Sequence, residues 1–324
     1  MGIKNLLKFL SNFDDIICKP ENDNDYKYEK VAIDISIILY KVVIAIRNSG
    51  ADLTNKQGEV VSHILGLFNK TIHLLKKNII PIYVFDGSIP KIKEKIINDR
   101  RELKKKAWEK FEKCNNDKEK IKYFKRTVSI TKKQMDECKE LLDLMGIPYI
   151  QAPEEADSQC AYLVKQGIAN SVLTEDMDIL TFGANKIYRN LGSYKKETSE
   201  IKLDTILEKI NLTYDQFIEL CILFGCDYCD GIKDMSTYKI YEAYIKFYNI
   251  PDTLSYLKEK GYRVPKINDY QIYKDYFLSS PHININNDIQ LKKPNMKQLE
   301  SLLVNQCGLL KSKIYNKLQF LKKN

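Results

Sequence analysis

Histidine is scarce in this chain of 324 residues, which contains only His63, His73 and His282. None of the three lies near a serine or cysteine in a pattern typical of a catalytic triad, so mechanisms built on a histidine base are not favoured. No apolar run approaches the roughly 18 residues of a membrane-spanning helix. The first residues also lack the apolar segment of a secretory signal. We therefore expect an intracellular protein that is neither secreted nor bound to a membrane.

The eight cysteines are scattered along the chain and do not form a metal-binding pattern. Cys226 and Cys229 have C-x-x-C spacing, but there is no second such pair and no C-x-x-H motif, so a zinc site is not expected. Without a secretory signal, reduced thiols are the expectation. We interpret Cys226 and Cys229 as a half-buried structural pair.

The positive charge of the chain is concentrated in one segment, residues 91–133. This segment has 17 Lys/Arg and 7 Asp/Glu, whereas the whole chain carries a net charge of +9. Aromatic residues alternate with the charges, and the pattern predicts two basic helices with a break near residues 114–117. A solvated surface helix is the simpler interpretation of such a run. The strong bias to one sign favours an element that contacts phosphates.

Short apolar runs alternate with amphipathic segments in the first two thirds of the chain. Strands are predicted at residues 30–34, 79–86, 146–150 and 171–174, and helices at 62–76, 131–145, 154–165, 214–224, 237–248 and 295–303. Residues 261–294 show no clear periodicity. Alternating strands and helices predict an α/β fold, with a parallel or mixed sheet flanked by helices. Ligands of such sheets gather at the carboxyl ends of the strands.

Seven carboxylates each follow an apolar run: Asp34, Asp86, Glu155, Asp157, Asp176, Asp178 and Asp227. Any one of them alone is explained by capping a helix, but together in a basic protein they indicate metal ions that act on a polyanion. Two divalent ions about 4 Å apart can bind one phosphodiester, one activating a water and the other stabilising the leaving oxygen. Oxygen ligands favour Mg²⁺, with Mn²⁺ as a substitute.

Six short motifs follow one another along the chain: Met1-Gly-Ile, Val31-Ala-Ile-Asp34, Val84-Phe-Asp86-Gly87, Ala152-Pro-Glu-Glu155-Ala-Asp157, Thr174-Glu-Asp176-Met-Asp178 and Gly225-Cys-Asp227-Tyr. In order and spacing they resemble the flap endonuclease family of structure-specific 5′ nucleases. The resemblance implies a PIN-like, XPG-type nuclease core with a helical arch. It also implies cleavage of DNA where a 5′ single-stranded flap meets a duplex.

The resemblance also assigns roles to individual residues. It places all seven acids at the metal site, with Asp34, Asp86 and Asp178 also catalytic, and it places Lys93 and Arg100 on the scissile phosphate. The DNA contacts that it implies are Gly2, Tyr40, Arg47, Lys70, Lys93, Arg100, Gly225 and Asp227. Tyr40 matches a ring that stacks on a base beside the cut, and the alternative is simple core packing on an apolar helix. Lys70 stands where an arginine is usual, and it lacks the bidentate geometry of arginine.

The resemblance divides the chain into an N-terminal nuclease region (1–105), a basic arch inserted in the core (91–133), an internal nuclease region (134–230) and a C-terminal helical region (231–324). The last region begins at a degenerate helix-two-turn-helix. The family has a glycine-rich turn there that holds duplex phosphates and K⁺, whereas this chain has Gly231-Ile-Lys-Asp234-Met-Ser236. We expect weaker gripping of duplex DNA, and the K⁺ site is in question.

Two further departures concern Asp157 and the clamp motif. Asp157 replaces the usual glutamate and is one methylene shorter, so its metal contact is expected through water. The family's sliding-clamp motif (Gln-x-x-hydrophobic-x-x-aromatic-aromatic) is absent, so recruitment by a clamp is not expected.

The resulting prediction is a monomeric 5′ flap endonuclease that uses two Mg²⁺ ions on flaps or junctions in DNA replication or repair. In a eukaryotic host it would work in the nucleus or at a site of viral replication. Three alternatives remain open: a mainly 5′→3′ exonuclease with the same active site, a junction-binding scaffold without activity, and a nuclease that acts on RNA.

Overall fold

A six-stranded β-sheet lies at the centre of the fold in the computed structural model, which describes residues 2–20, 28–193, 196–265, 270–285 and 289–323. The strands are β1 (Lys30–Asp34), β2 (Ile80–Phe85), β3 (Tyr149–Gln151), β4 (Ser171–Leu173), β5 (Lys186–Arg189) and β6 (Ser199–Lys202). Their order is β3–β2–β1–β4–β5–β6. The first five are parallel and β6 is antiparallel to β5. The chain therefore leaves β1 in one direction for β2 and returns to its other side at β4, and this switch point is where such sheets bind ligands.

Fourteen α-helices surround the sheet within the described residues. They are α1 (Leu6–Leu10), α2 (Ile35–Ile46), α3 (Ser62–Lys76), α4 (Glu94–Lys113), α5 (Asp117–Arg126), α6 (Lys132–Met145), α7 (Ala156–Lys165), α8 (Leu203–Ile210), α9 (Tyr214–Phe224), α10 (Thr237–Tyr244), α11 (Ile250–Glu259), α12 (Tyr270–Ser279), α13 (Met296–Glu300) and α14 (Lys311–Lys323). A π-helical segment, Ser301–Gln306, continues α13. In the described part of the chain, no helix is both long and apolar enough to cross a membrane.

The sheet is buried on both faces because alternate residues of each strand enter different cores. Val31 and Ile33 of β1 pack on the side of α2, α3, α6, α13 and α14. Ala32 packs on the opposite side, with α1 and α7–α12. The predicted α/β class with a parallel or mixed sheet is therefore confirmed. Neither basic helix, α4 or α5, contributes a residue to either core.

Capping residues explain why the predicted and observed bounds of some helices agree. Thr131 and Gln134 form a capping box at the start of α6, and Gly146, with φ of 71°, ends it. The two predicted basic helices are confirmed as α4 and α5, with the break at residues 114–116. Elsewhere the structure differs from the predictions: the strand expected at 146–150 is β3 at Tyr149–Gln151, and β5 and β6 were not predicted. The helix expected from 154 begins at Ala156, the helix expected to reach 248 ends at Tyr244, and α12 lies in a segment without clear periodicity. Of that segment, residues 266–269 and 286–288 lie outside the described residues, as does Met1 of the first motif.

Candidate active site

Asp34 and Asp86 meet at the carboxyl ends of neighbouring parallel strands. Asp34 ends β1 and caps α2, accepting a hydrogen bond from the amide of Ser36 at 2.7 Å. The hydroxyl of Ser36 donates to Oδ2 of Asp86, just after β2, at 2.8 Å. One serine therefore links the two acids, and no motif had singled it out.

Glu155 and Asp157 enter the same region from the start of α7. The amide of Ala156, between them, donates to Oδ1 of Asp86 at 3.0 Å. Glu155 is buried and occupies the N-cap position with extended backbone, which is why the helix begins one residue later. Oδ1 of Asp157 is buried and has no hydrogen-bond partner. An unpaired buried carboxylate oxygen is costly, and a bound cation removes the cost.

Asp176 and Asp178 follow β4, across the switch point from Asp34. Asp176 caps the short 3₁₀ helix Met177–Leu180 by accepting a hydrogen bond from the amide of Asp178. The amide of Ile3 donates to Oδ1 of Asp178. Gly2, with φ of 86°, lies so close that a Cβ there would clash with both acids. The N-terminal residues therefore form one wall of the acid cluster, and only glycine fits at position 2.

Asp227, after α9, brings the basic residues into contact with the acids. Nη2 of Arg100 donates to Oδ2 of Asp227. Nζ of Lys93 pairs with Glu155 and lies 3.9 Å from Oδ2 of Asp227. Lys93 immediately precedes α4, and Arg100 lies in its second turn. The amino-terminal part of the basic helix α4 therefore rests on the acid cluster.

The seven acids form one electrostatic unit. Burial first, and then neighbouring acids, raise the pKa of Asp34, Asp157 and Asp178 well above its usual range. The neighbours involved are Asp86, Glu155, Asp176 and Asp227. Burial would lower the pKa of Lys93, but the nearby acids outweigh burial and raise it. The cluster therefore holds excess negative charge that Lys93 and Arg100 only partly offset.

The donor set fits a hard divalent cation. Within the described residues, no three His, Cys, Asp or Glu side chains are placed closely enough to hold an ion by themselves. Mg²⁺ does not require this, since it usually keeps several waters and binds one or two carboxylates directly. The acid cluster and the unpaired oxygen of Asp157 match that mode of binding.

Tyr228 is a site residue that the sequence did not reveal, although it follows Asp227 directly. Its hydroxyl donates to Oε2 of Glu155, and its ring lies 5.5 Å from Nζ of Lys93. Tyr276 and Phe277 of α12 pack against the same ring, with centroids 5.3 and 5.2 Å away. The aromatic cluster therefore holds Tyr228 in contact with Glu155 and close to Lys93.

A basic cleft lies between α2 and the two basic helices. It has a volume of about 790 Å³, and its lining includes Tyr40, Arg100 and Lys104. Nζ of Lys104 lies 3.2 Å from the hydroxyl of Tyr40 and 5.2 Å from its ring centre. Tyr40 is half-buried at this cleft, which argues against simple core packing.

Arg47 and Lys70 make internal contacts with residues other than the seven acids. Arg47 forms a two-point ion pair with Asp52 and lies 4.1 Å from the ring centre of Phe124 in α5. Nζ of Lys70 donates to the carbonyl of Leu191 at 2.7 Å. Burial, with help from nearby lysines, lowers the pKa of Lys70 to about 8. Their DNA contacts stay predictions.

In the turn after Asp227, Asp234 stands where the family has a glycine, and its backbone adopts a conformation that glycine favours. Asp234 has φ of 62°, in the left-handed region that aspartate tolerates better than most residues. At the start of the turn, Gly225 and Gly231 pack so closely that a Cβ on either would contact the backbone of the other. Ser236 caps α10.

Comparison with known proteins defines the class of this fold and site. Residues 1–107 match the XPG N-terminal domain, and residues 146–227 match the XPG I-region. The fold is shared with the catalytic core of Rad2 in complex with DNA substrate, with a TM-score of 0.77, 24% identity and coverage of 99% of this chain and 100% of that chain. The protein is thus an XPG-type nuclease.

Individual relatives show to which family of XPG-type nucleases the chain belongs. The chain is 40% identical over 298 residues to flap endonuclease 1 of Glossina morsitans morsitans, covering 90% of this chain and 78% of that protein. It is 32% identical to the solved flap endonuclease-1 of Methanococcus jannaschii, with a TM-score of 0.73 and coverage of 96% of this chain and 97% of that one. The chain belongs to the flap endonuclease family, as its motifs predicted.

Proposed function

We propose that this protein is a structure-specific endonuclease that cuts DNA where a 5′ single-stranded flap joins a duplex. The observation that carries the proposal is the contact of Lys93 and Arg100 with a cluster of seven acids, of which Asp34, Glu155 and Asp178 are buried. A nuclease must bring a phosphate, itself an anion, to such a cluster, and two cations at its rim provide the attraction.

We propose Asp34, Asp86, Glu155, Asp157, Asp176, Asp178 and Asp227 as the residues that hold two Mg²⁺ ions directly or through water, with Mn²⁺ as a substitute. When bound, the ions supply an activated water and stabilise the leaving oxygen. Asp157 is the acid expected to act through water. The K⁺ site of the family is not part of the proposal, since the turn that forms it has lost two glycines.

Lys93 and Arg100 are proposed to leave their carboxylate partners for the scissile phosphate and to stabilise the charge that develops on it. Tyr40, which lines the basic cleft, is proposed to stack on the base beside the cut. Gly2 and Gly225 let the backbone approach the site closely. We propose that the protein acts as a monomer. Replication and repair, in the nucleus or at a viral replication site, are the settings that supply such substrates.

The test is a set of end-labelled DNAs with mapped cut positions in Mg²⁺: a 5′ flap, a nicked duplex and a blunt duplex. Wild-type protein should prefer the flap and cut at its base, whereas preferential shortening of nicked or blunt duplexes from the 5′ end would favour the exonuclease alternative. Asp178→Ala should lower the flap cleavage rate at least about 100-fold. Asp136→Ala, an exposed acid of α6, is the control. Intact flaps with wild-type protein, or normal cleavage by Asp178→Ala, would refute the proposal.

A further inference from the structure

Cys226 and Cys229 flank the two residues that complete the active site. Asp227, which contacts Arg100, and Tyr228, which contacts Glu155, lie between them. The two Sγ atoms are 3.5 Å apart, and the amide of Cys226 donates to the carbonyl of Cys229 at 3.1 Å. A disulfide requires about 2.05 Å between the sulfurs, so a movement of about 1.5 Å within this one turn is sufficient.

One thiol of the pair, that of Cys229, is partly exposed to solvent. Cys229 is half-buried and Cys226 is buried, and both line a cleft of about 680 Å³ whose wall also includes Arg100 and Asp227. A small reagent can therefore reach Cys229 first and leave Cys226 as the second reacting thiol. Such accessible pairs form labile disulfides, in contrast to buried structural ones.

We propose that Cys226 and Cys229 form a reversible disulfide that inactivates the nuclease site, with small-molecule disulfides as the oxidant. Cys229 attacks the small disulfide, forms a mixed disulfide and releases one thiol. Cys226 then displaces the second thiol. One small disulfide is reduced to two thiols, which take up the two protons, and the two cysteines are oxidised to one disulfide.

The tight packing of the loop explains why closing this bond would affect catalysis. Gly225 and Gly231 hold its ends together without space for a side chain, so the 226–229 turn cannot move away as a unit. Part of the displacement is therefore expected to fall on Asp227 and Tyr228, the two residues between the cysteines. These are the residues whose side chains meet Arg100 and Glu155.

The disulfide and its effect are measured separately, because the effect rests on the proposed function. The full-length protein is incubated with oxidised glutathione, alkylated and mapped by mass spectrometry, while 5′-flap cleavage in Mg²⁺ is followed in parallel. We expect a Cys226–Cys229 linkage, cleavage lowered at least tenfold, and recovery with dithiothreitol. Absence of the linkage, or full activity with the linkage present, would overturn the proposal. A reduced wild-type protein that leaves flaps intact would instead count against the proposed function, because peptide mapping does not depend on cleavage.

Cysteine variants test whether the loss of cleavage on oxidation depends on Cys226 and Cys229. Cys229→Ser should keep its reduced-state activity and resist glutathione, whereas Cys226→Ser should accumulate the mixed disulfide at Cys229. A double variant, Cys18→Ser with Cys114→Ser, removes the other accessible thiols and should inactivate like wild type. Inactivation of Cys229→Ser, with its folding verified by circular dichroism, would contradict the proposal.

Discussion

The hydroxyl of Tyr228 donates a hydrogen bond to Oε2 of Glu155 at 2.5 Å, joining residues 73 positions apart in the sequence. The contact engages Glu155, one of the acids proposed to hold metal, at the carboxylate oxygen that Lys93 does not pair with. Because Tyr228 is itself packed against α12, the C-terminal helical region supports the nuclease centre directly.

Tyr228→Phe should lower the flap cleavage rate about tenfold, because a hydrogen bond to a charged group contributes about 1.5–3 kcal/mol. The ring and its packing remain, so the thermal unfolding temperature should change little. Tyr162→Phe is the control, since that hydroxyl bonds Asn284 away from the acids. Equal cleavage rates for the two variants would show that the hydroxyl of Tyr228 does not orient Glu155.

Arg100→Ala should reduce single-turnover cleavage about 100-fold or more while weakening DNA binding much less. Its guanidinium bonds Asp227 of the acid cluster, and we proposed above that it stabilises the charge that develops on the phosphate there. Arg101→Ala is the matched control, because Arg101 is exposed and donates a hydrogen bond to Oδ1 of Asn98 in the same helix, not to an acid of the cluster. If both variants lost binding and cleavage in the same proportion, Arg100 would be an ordinary phosphate contact.

The sequence singled out the acids and their basic partners because each acid lies in a short motif near the end of a strand or helix, and the roles of these residues stay predictions. The position of Asp34 at the end of β1 follows from local pattern alone. Ser36 and Tyr228 were not predicted, since their roles depend on which distant residues they meet. Tyr228 is held by α12, whose tyrosines and polar residues give no clear helical period. Strands β5 and β6 were also missed, as each has four residues and polar positions.

Mg²⁺ should raise the unfolding temperature by a few degrees, and more at about pH 8 than at about pH 5. A carboxyl whose pKa is raised on folding binds its proton more tightly in the native state, so its contribution to stability falls as pH rises through that pKa. Burial and neighbouring acids raise the pKa of Asp34, Asp157 and Asp178 in this way. Bound Mg²⁺ offsets their repulsion once they are ionised.

Asp178→Asn tests this account by calorimetry with and without Mg²⁺. The metal-free variant should be more stable than wild type at the higher pH, and its response to Mg²⁺ should be smaller. Asp136→Asn should behave like wild type. A Mg²⁺ response independent of pH and of Asp178 would indicate binding elsewhere.

Lys70→Arg should remove a pH dependence from DNA binding. Burial lowers the pKa of Lys70 to about 8, so its charge is lost as pH rises from about 7 to about 9, and one phosphate contact weakens with it. Arginine stays charged over this range. Fluorescence anisotropy with flap DNA should show affinity falling several-fold for wild type and remaining constant for Lys70→Arg. Lys41→Arg, in the same pocket, should retain the wild-type profile, and identical profiles for all three proteins would exclude a contact between Lys70 and DNA.

Asp234→Gly should tighten binding to duplex DNA a few-fold. Asp234 is exposed, and its φ of 62° already matches the conformation that glycine adopts without steric cost. The substitution therefore removes a negative charge from the turn that faces duplex phosphates in the family and leaves the backbone path unchanged. Asp234→Asn separates the two effects, since asparagine also tolerates this conformation but carries no charge. If repulsion is the cause, both variants should bind duplex equally tightly at low salt, and the gain should shrink as salt screens the charge. A gain with glycine alone would attribute the weak grip to the backbone, and no gain with either would show that this turn does not meet the duplex.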